Sequence, residues 1–594
     1  MMRSKLFILL TSLLLALTAC NAIGGDGGTE TNNDFGEPPA NAIIINIIYA
    51  PESDEYMQQI IPAFNEAYRN GTNPVTGQSL ANGERPIFIT GETGSSGVVM
   101  QGIVRAITNP TSPNAVTPTI FQPSVSHWLA LANFQSGRDL FDLNDSPATA
   151  NAPVVISIWE SRLQAIRDTT GQEDIGWAEL LDVLNSPNGW ADYGISGRQT
   201  VYYGHTDPFV SSTALSTLIS EFYASARVDG FTGRRLTLDV VQDPDVIDGV
   251  RDIEELIRHY SRRTTEFRNY IAQGPDYLDF VALEENDLIA INRGLTDFGT
   301  PPERLVALYP SEGTFWHEHP FGIPNAPWVS DEQRQAARVF ADYVVMPEQQ
   351  QIIMEYGFRP VNPSVELAFP FEEQYGVTRE GPLTVLDVPE PAVIDAIQDS
   401  WAFVKKQADI MLVIDTSGSM EEDGKLDQAI EAALAFIDST EPTNRVGLAT
   451  FDDTFRVLVE LDVLESNRSE LIEELEDLDA GGRTTLYNAI VETVDIMQDL
   501  SDENRIRAVV LLSDGEDTCD TDFGRCESLS DAVDEIESSV SDRNPVIVVP
   551  VGYGDISSEL ERVLDDIAGA SNTIWVPGDP DNIQELLELI SSFF

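Results

Sequence analysis

Lysine is nearly absent: Lys5, Lys405, Lys406 and Lys425 are the four in 594 residues, and arginine carries the remaining positive charge. Against 35 basic residues stand 98 acidic ones, a formal charge of −63. So negative a chain repels phosphate backbones and anionic headgroups, which excludes nucleic acid and acidic lipid surfaces as partners. It attracts cations instead, although a solvated acidic surface accounts for most of the charge. Missing too, after the first twenty residues, is any apolar run long enough and free enough of charge to cross a bilayer. There is no G-x-S-x-G, H-E-x-x-H or Walker pattern, so the common hydrolase, metalloprotease and nucleotide-binding signatures are absent.

What is present begins at the start of the chain. Arg3 and Lys5 precede an apolar stretch over 6–17 that is too short for a comfortable membrane span and reads as a secretory signal. Leu17-Thr18-Ala19-Cys20 resembles the bacterial lipobox. That resemblance implies cleavage before Cys20, a lipid on its thiol, and a protein held to the extracytoplasmic face of the cell membrane by acyl chains alone. Residues 21–39, rich in Gly, Asn and Thr, read as a flexible tether. Two of the three cysteines, Cys519 and Cys526, share one polar loop, DTCDTDFGRC. Outside the cell such a pair reads as a local disulfide. A metal-binding thiol pair is the alternative, disfavoured because no third soft ligand is close in sequence.

Short apolar runs alternate with amphipathic helical stretches, which is α/β architecture. The expected division is a signal over 1–19, a tether over 20–40, a front domain over 41–390, a connecting helix over 391–407 and a rear domain over 408–594. Front strands are expected at 42–49, 86–90, 118–122, 154–159, 202–204, 288–291 and 304–309. Rear strands are expected at 410–415, 445–451, 455–461, 508–513, 546–551 and 573–576, with helices between them as in a doubly wound sheet. The rear domain holds 45 acids and 10 bases, the denser negative charge of the two.

Loops at the carboxyl ends of parallel strands gather at one edge. Three such loops in the rear domain carry hard oxygen donors: DTSGS from Asp415, GGRTTL from Gly481, and SDGED from Ser513. Carboxylates and hydroxyls suit Mg²⁺, Mn²⁺ or Ca²⁺ rather than a soft metal. Here the sequence resembles the von Willebrand factor type A family, and the three loops correspond to its metal-ion-dependent adhesion site. The resemblance implies that Ser417, Ser419 and Thr484 bind the ion, most simply Mg²⁺. It implies that Asp415 and Asp514 complete the shell, and that one position is left for an acidic group on a partner protein. Family members usually read GGT where this chain inserts Arg483, which leaves Thr484 and Thr485 both open as the ligand. The Leu486-Tyr487 register favours Thr484.

The front domain resembles the type II extracellular solute-binding proteins of importers, in the subclass of molybdate and sulfate binders. GETGSSGVVMQGI, YYGHTDPFVSSTAL, VVISIWESRLQAI and QQQIIMEYGFRPVNP carry the resemblance, the third as the crossover strand between lobes. It implies a two-lobed fold with a ligand cleft. Helix N-termini with small hydroxyls bind anions without a countercharge, and Ser53, Ser95, Ser96, Thr206, Ser211 and Ser212 are the candidates. Each alone is an ordinary helix cap. An oxyanion, a sugar, an amino acid or a peptide all fit. His317-Glu318-His319 lacks a third ligand at metal spacing and reads as an exposed polar strand face. Trp128, Trp177, Trp190 and Trp316 read as core. The expected whole is a non-enzymatic surface lipoprotein that binds a small solute in front and a protein partner behind. The alternative is an importer's solute receptor with a docking accessory. Catalysis is least expected, since the cage supplies no nucleophile or general base.

Overall fold

The computed structural model describes residues 35–578 apart from 197–200, 256, 258, 262–263, 276, 297, 503–504, 516, 520–524, 541–545, 554–556, 572 and 574. The signal, Cys20 and most of the tether lie outside the described residues. No described helix is long and apolar enough to cross a membrane.

The first lobe is built on a parallel sheet of β1 (Ile43–Tyr49), β2 (Ile87–Thr93) and β3 (Ile120–Gln122), in the order β2-β1-β3. Its core includes Ile45, Ile47, Phe64, Phe321 and Phe340, so it closes only when a later segment returns from the second lobe. That segment carries helix Asp331–Val344, started by a capping box in which Ser330 and Gln333 bond reciprocally.

The second lobe holds β4 (Ala152–Trp159), β5 (Tyr203–Thr206), β6 (His259–Ser261), β7 (Phe280–Glu284) and β8 (Leu305–Leu308), in the order β6-β5-β7-β4-β8. The short β9 (Trp316–His317) pairs with the start of β4. β4 therefore starts at the junction of the lobes and runs through the second. It pairs antiparallel with β7 and β8.

The rear domain is one sheet of β10 (Ala408–Asp415), β11 (Arg445–Phe451), β12 (Phe455–Val463), β13 (Ile506–Ser513), β14 (Val546–Tyr553) and β15 (Val576–Gly578). Its order is β12-β11-β10-β13-β14-β15, and only the edge strand β12 runs antiparallel to its neighbour. Every residue of β10 and β13 is buried, as unbroken apolar strands covered on both faces require. The fold is α/β: a two-lobed front followed by a doubly wound, mainly parallel rear domain.

Two expectations need correction. Residues 288–291 are not a strand but part of helix Glu285–Asn292; the strand is β7, immediately before it. Both segments are buried throughout, so neither shows the alternation that separates strand from helix. Nor is the connector one helix over 391–407. It breaks at Ser400 into helices Pro391–Asp399 and Trp401–Val404, whose Ile394, Ile397 and Trp401 join a core that includes second-lobe residues. Gln398 donates to the Pro208 carbonyl at 2.8 Å, and the Lys406 amide donates to the Tyr260 hydroxyl at 3.2 Å.

Candidate functional site

In the rear domain β10 and β13 lie side by side, with Ile414 paired to Leu512, so their ends deliver Asp415 and Ser513-Asp514 to one edge. Buried Asp415 acts as a pin. Its carboxylate accepts from the Ser417 amide at 2.8 Å and from the Ser513 hydroxyl at 2.6 Å. The middle loop is tied to the first by Gly481 N–H to the Thr416 carbonyl (2.8 Å) and Gly418 N–H to the Gly482 carbonyl (3.1 Å). It is tied to the third by the Thr484 amide donating to the Thr518 hydroxyl (2.9 Å). Gly482, at φ +84°, makes a turn that favours glycine.

These ties bring Ser417, Ser419, Thr484, Asp415 and Asp514 together. Ser419 Oγ lies 3.1 Å from Ser417 Oγ and donates to Asp514 Oδ1 at 2.8 Å. A side chain at Gly515 would stand 3.6 Å from both Ser419 Oγ and Thr484 Oγ1, so the two hydroxyls face one space. Thr485 instead turns its hydroxyl to the Asp452 carbonyl at 3.0 Å. Of the two threonines left open by Arg483, Thr484 is the one whose hydroxyl faces this space. An octahedral ion held at about 2.1 Å by each donor sets adjacent oxygens about 3.0 Å apart. The observed spacings and the all-oxygen donor set fit such an ion. Burial pushes the Asp415 carboxyl up to about 6, although bonds from Ser513 and Ser417 oppose this.

Sequence reading missed one residue here. Lys425, at the start of helix Lys425–Ser439, places Nζ 2.6 Å from Asp514 Oδ2. Its rarity was the available signal, since lysine occurs four times in the chain. A cation placed among these oxygens would meet this ammonium as a like-charged competitor for Asp514. Lys425→Met is expected to tighten Mg²⁺ by roughly fivefold to tenfold, ~1 kcal/mol. Calorimetric titration reads this, and unchanged affinity rejects the competition. Beside the cage, Cys519 and Cys526 are disulfide-bonded with Cα atoms 5.8 Å apart.

In the front domain a small cavity lies between the lobes, lined by Pro51, Glu52, Ser95, Ser96, Val210, Ser211, Ser212 and Thr264. Ser95-Ser96 open helix Ser96–Thr108, and Ser211-Ser212 open helix Ser212–Val228. Thr264 starts helix Thr264–Ala272, and Pro51-Glu52 form the turn before helix Asp54–Arg69. Four helix N-termini therefore converge, and among the described residues the lining holds no basic side chain. The lobes already touch: the Gly97 amide donates to the Val210 carbonyl at 3.1 Å, and Trp128 Nε1 to Ser212 Oγ at 2.9 Å. Burial, then the charge of Glu284, pushes the Glu52 carboxyl up to about 7. A neutral carboxyl donates to an anion where a carboxylate repels it.

Ser53 and Thr206 do not line this cavity. Ser53 lies deeper, 3.3 Å from His319 Nδ1, and Thr206 is buried at the end of β5. The histidine expectation fails as well. His317 and His319 have no exposed surface and clamp the buried Glu284 carboxylate at 2.7 and 3.1 Å. Their partner stands more than thirty positions upstream on β7, beyond any local pattern. Ser216 Oγ, 2.8 Å from His317 Nε2, extends the chain into the second lobe. This hydroxyl–imidazole–carboxylate array resembles a nucleophilic triad in geometry. All three side chains are sealed from solvent, so no substrate reaches the hydroxyl.

The network has a pH signature. Two imidazoles outweigh burial and lower Glu284 to about 2, while Glu284 outweighs burial and raises His319. The Glu284 contribution is complete above its unfolded value near 4.5 and disappears as pH falls toward 2. The His319 contribution is complete below about 6.5 and disappears as pH rises through its elevated folded value. Stability from this pair is therefore greatest between about pH 4.5 and 6.5. Glu284→Gln is expected to cost about 3–5 kcal/mol at pH 5.5 and to flatten the decline toward pH 8.5. Urea melts at both pH values measure it.

Residues 410–516 match the family model described as von Willebrand factor type A domain, and residues 147–376 match that of bacterial extracellular solute-binding protein. No curated protein matches the chain. Among solved structures, a von Willebrand factor type A protein from Catenulispora acidiphila is 21% identical over 32% of this chain and 42% of its own, with a TM-score of 0.27. The chain thus spans less than half of that structure's length. The sulfate-binding protein SubI from Mycobacterium tuberculosis H37Rv is 17% identical over 60% of this chain and 96% of its own, with a TM-score of 0.37. A periplasmic thiamin binding protein is 13% identical over 62% and 99%, with a TM-score of 0.41.

Proposed function

We propose, for a chain that joins a solute-binding-protein segment to a von Willebrand factor type A segment, a non-enzymatic surface receptor with two binding sites. The front cleft takes a small oxyanion. The observation that carries this is the convergence of helix N-termini from both lobes on one small cavity whose described lining residues include no basic side chain. Backbone N–H groups and serine hydroxyls solvate an anion there, and the helix dipoles supply the favourable field. The space left between the touching lobes is small, which disfavours a peptide or oligosaccharide. Glu52, neutral below about pH 7, serves as a donor to the anion.

Calorimetric titration of the full chain with sulfate, phosphate, molybdate, glucose and glycine tests the reading. One oxyanion is expected to bind at about micromolar Kd or tighter, ~8 kcal/mol. Binding of the sugar or the amino acid without any anion rejects it.

In the rear domain Ser417, Ser419 and Thr484 would hold Mg²⁺, with Asp415 and Asp514 completing the shell, in a metal-ion-dependent adhesion site. The ion, once bound, offers a coordination position to an acidic side chain of a protein partner. Cys20 bears the lipid that anchors the protein at the membrane. The mass of the mature N-terminal peptide tests that anchor.

A further inference from the structure

Away from the cleft lining and the rear cage, the second lobe encloses a third polar cluster. Tyr203 and His205 lie two apart on β5 and so share one face of it. Glu221 comes from helix Ser212–Val228 and Glu254 from the end of helix Pro244–Glu254. One ligand atom each from His205, Glu221 and Glu254 lies within 4.8 Å of the other two. Glu221 and Glu254 have no exposed surface, and His205 is 2% exposed.

The bonding is incomplete in an informative way. His205 Nδ1 stands 2.6 Å from the Thr206 carbonyl, which accepts only, so Nδ1 carries the proton. That leaves Nε2 with a lone pair, 4.0 Å from Glu254 Oε1 and with no hydrogen-bond partner. Both oxygens of Glu221, Glu254 Oε1 and the Tyr203 hydroxyl are buried and make no hydrogen bond of ordinary geometry, although Glu221 lies close to both Glu254 and Tyr203. Only Glu254 Oε2 is satisfied, by the Tyr260 hydroxyl at 2.7 Å. An imidazole fixed by a carbonyl on its far nitrogen, with its open nitrogen facing two buried carboxyl groups, is how proteins present a histidine to a metal.

We propose that His205, Glu221 and Glu254 form an enclosed site for one divalent transition ion of the Zn²⁺ or Mn²⁺ class. One nitrogen and carboxylate oxygens suit a borderline ion better than Mg²⁺, which prefers oxygen alone. The ion neutralises two buried carboxylates and gives the open lone pairs their partner. The Tyr203 hydroxyl lies beside Glu221. The site also lies under the interdomain junction. The Trp401 ring packs 5.3 Å from His205 and 6.0 Å from Tyr260, and Lys405 Nζ lies 5.0 Å from the centre of the Tyr260 ring. An ion here fastens β5 and two helices beneath the connector.

The full chain is stripped with chelator, loaded with Zn²⁺, washed with a weak competitor and assayed by elemental mass spectrometry. Asp415→Asn removes the rear cage from the count. That chain is expected to retain one Zn²⁺, and adding His205→Ala or Glu221→Gln is expected to reduce it to background. X-ray absorption on the Zn²⁺-loaded wild type, which needs no variant, is expected to show an imidazole in the shell. An all-oxygen shell, no retained metal, or a count unchanged by both substitutions overturns the site. A stripped wild type that takes up no Zn²⁺ and melts below Glu221→Gln assigns the cluster to carboxyls sharing a proton instead, which also overturns it.

Discussion

Asp415→Ala is expected to weaken Mg²⁺ binding at the rear cage by at least ~100-fold. The residue does two jobs. It contributes negative charge beside the ion, and it holds the first and third loops in register through the Ser417 amide and the Ser513 hydroxyl. Alanine leaves both donors buried without a partner, which costs ~1–3 kcal/mol each in stability. Asp415→Asn separates the effects, because the amide oxygen still accepts one bond while the charge is gone. Both variants are expected to lose the ion, but alanine alone is expected to lower the melting temperature substantially. Proton competition follows from burial. With the carboxyl titrating near 6 in the ion-free cage, Mg²⁺ must displace a proton below that pH, and its affinity falls there. Calorimetry at fixed ionic strength reads both results. Wild-type affinity in the asparagine variant rejects the cage as the ion's site.

That cage was the most legible part of the molecule. Asp415, Ser417 and Ser419 sit within five residues, and the first and third loops each follow an unbroken apolar run, whereas the middle loop follows helix Leu464–Glu476. What the sequence could not display was long-range company. Lys425 lies ten residues from Asp415, yet it meets Asp514 only after β10 and β13 are paired. Glu284 gives no local hint that His317 and His319 will close on it. The same holds for His205, Glu221 and Glu254, which are spread over fifty residues and joined by a strand and two helices. Patterns along the chain report what one element buries. They do not report which buried charges end up facing each other.

The cleft offers the second large effect. Gly97→Ala is expected to prevent full closure of the lobes and to cost on the order of 100-fold in solute affinity, ~2.7 kcal/mol. Gly97 stands in the first turn of the helix that begins at Ser96, and its amide reaches across to Val210. A β-carbon there would lie 1.9 Å from the Phe209 carbonyl oxygen and 2.9 Å from the Trp128 ring. The first contact is with backbone, so no side-chain rotation relieves it. The lobes must separate, and that breaks the Gly97–Val210 bond and strains the bond from Trp128 to Ser212. Ser95-Ser96 and Ser211-Ser212 then no longer face one ligand together. A binding protein whose competent state is the closed one loses affinity in proportion to the population it can no longer reach. Trp128→Phe is the milder control. It removes one cross-lobe hydrogen bond without a clash and is expected to cost roughly 3–10-fold, ~1 kcal/mol. Small-angle scattering is expected to show Gly97→Ala more extended than wild type in saturating oxyanion. A Gly97→Ala chain that binds the anion as tightly as wild type would place the ligand outside the interlobe cavity.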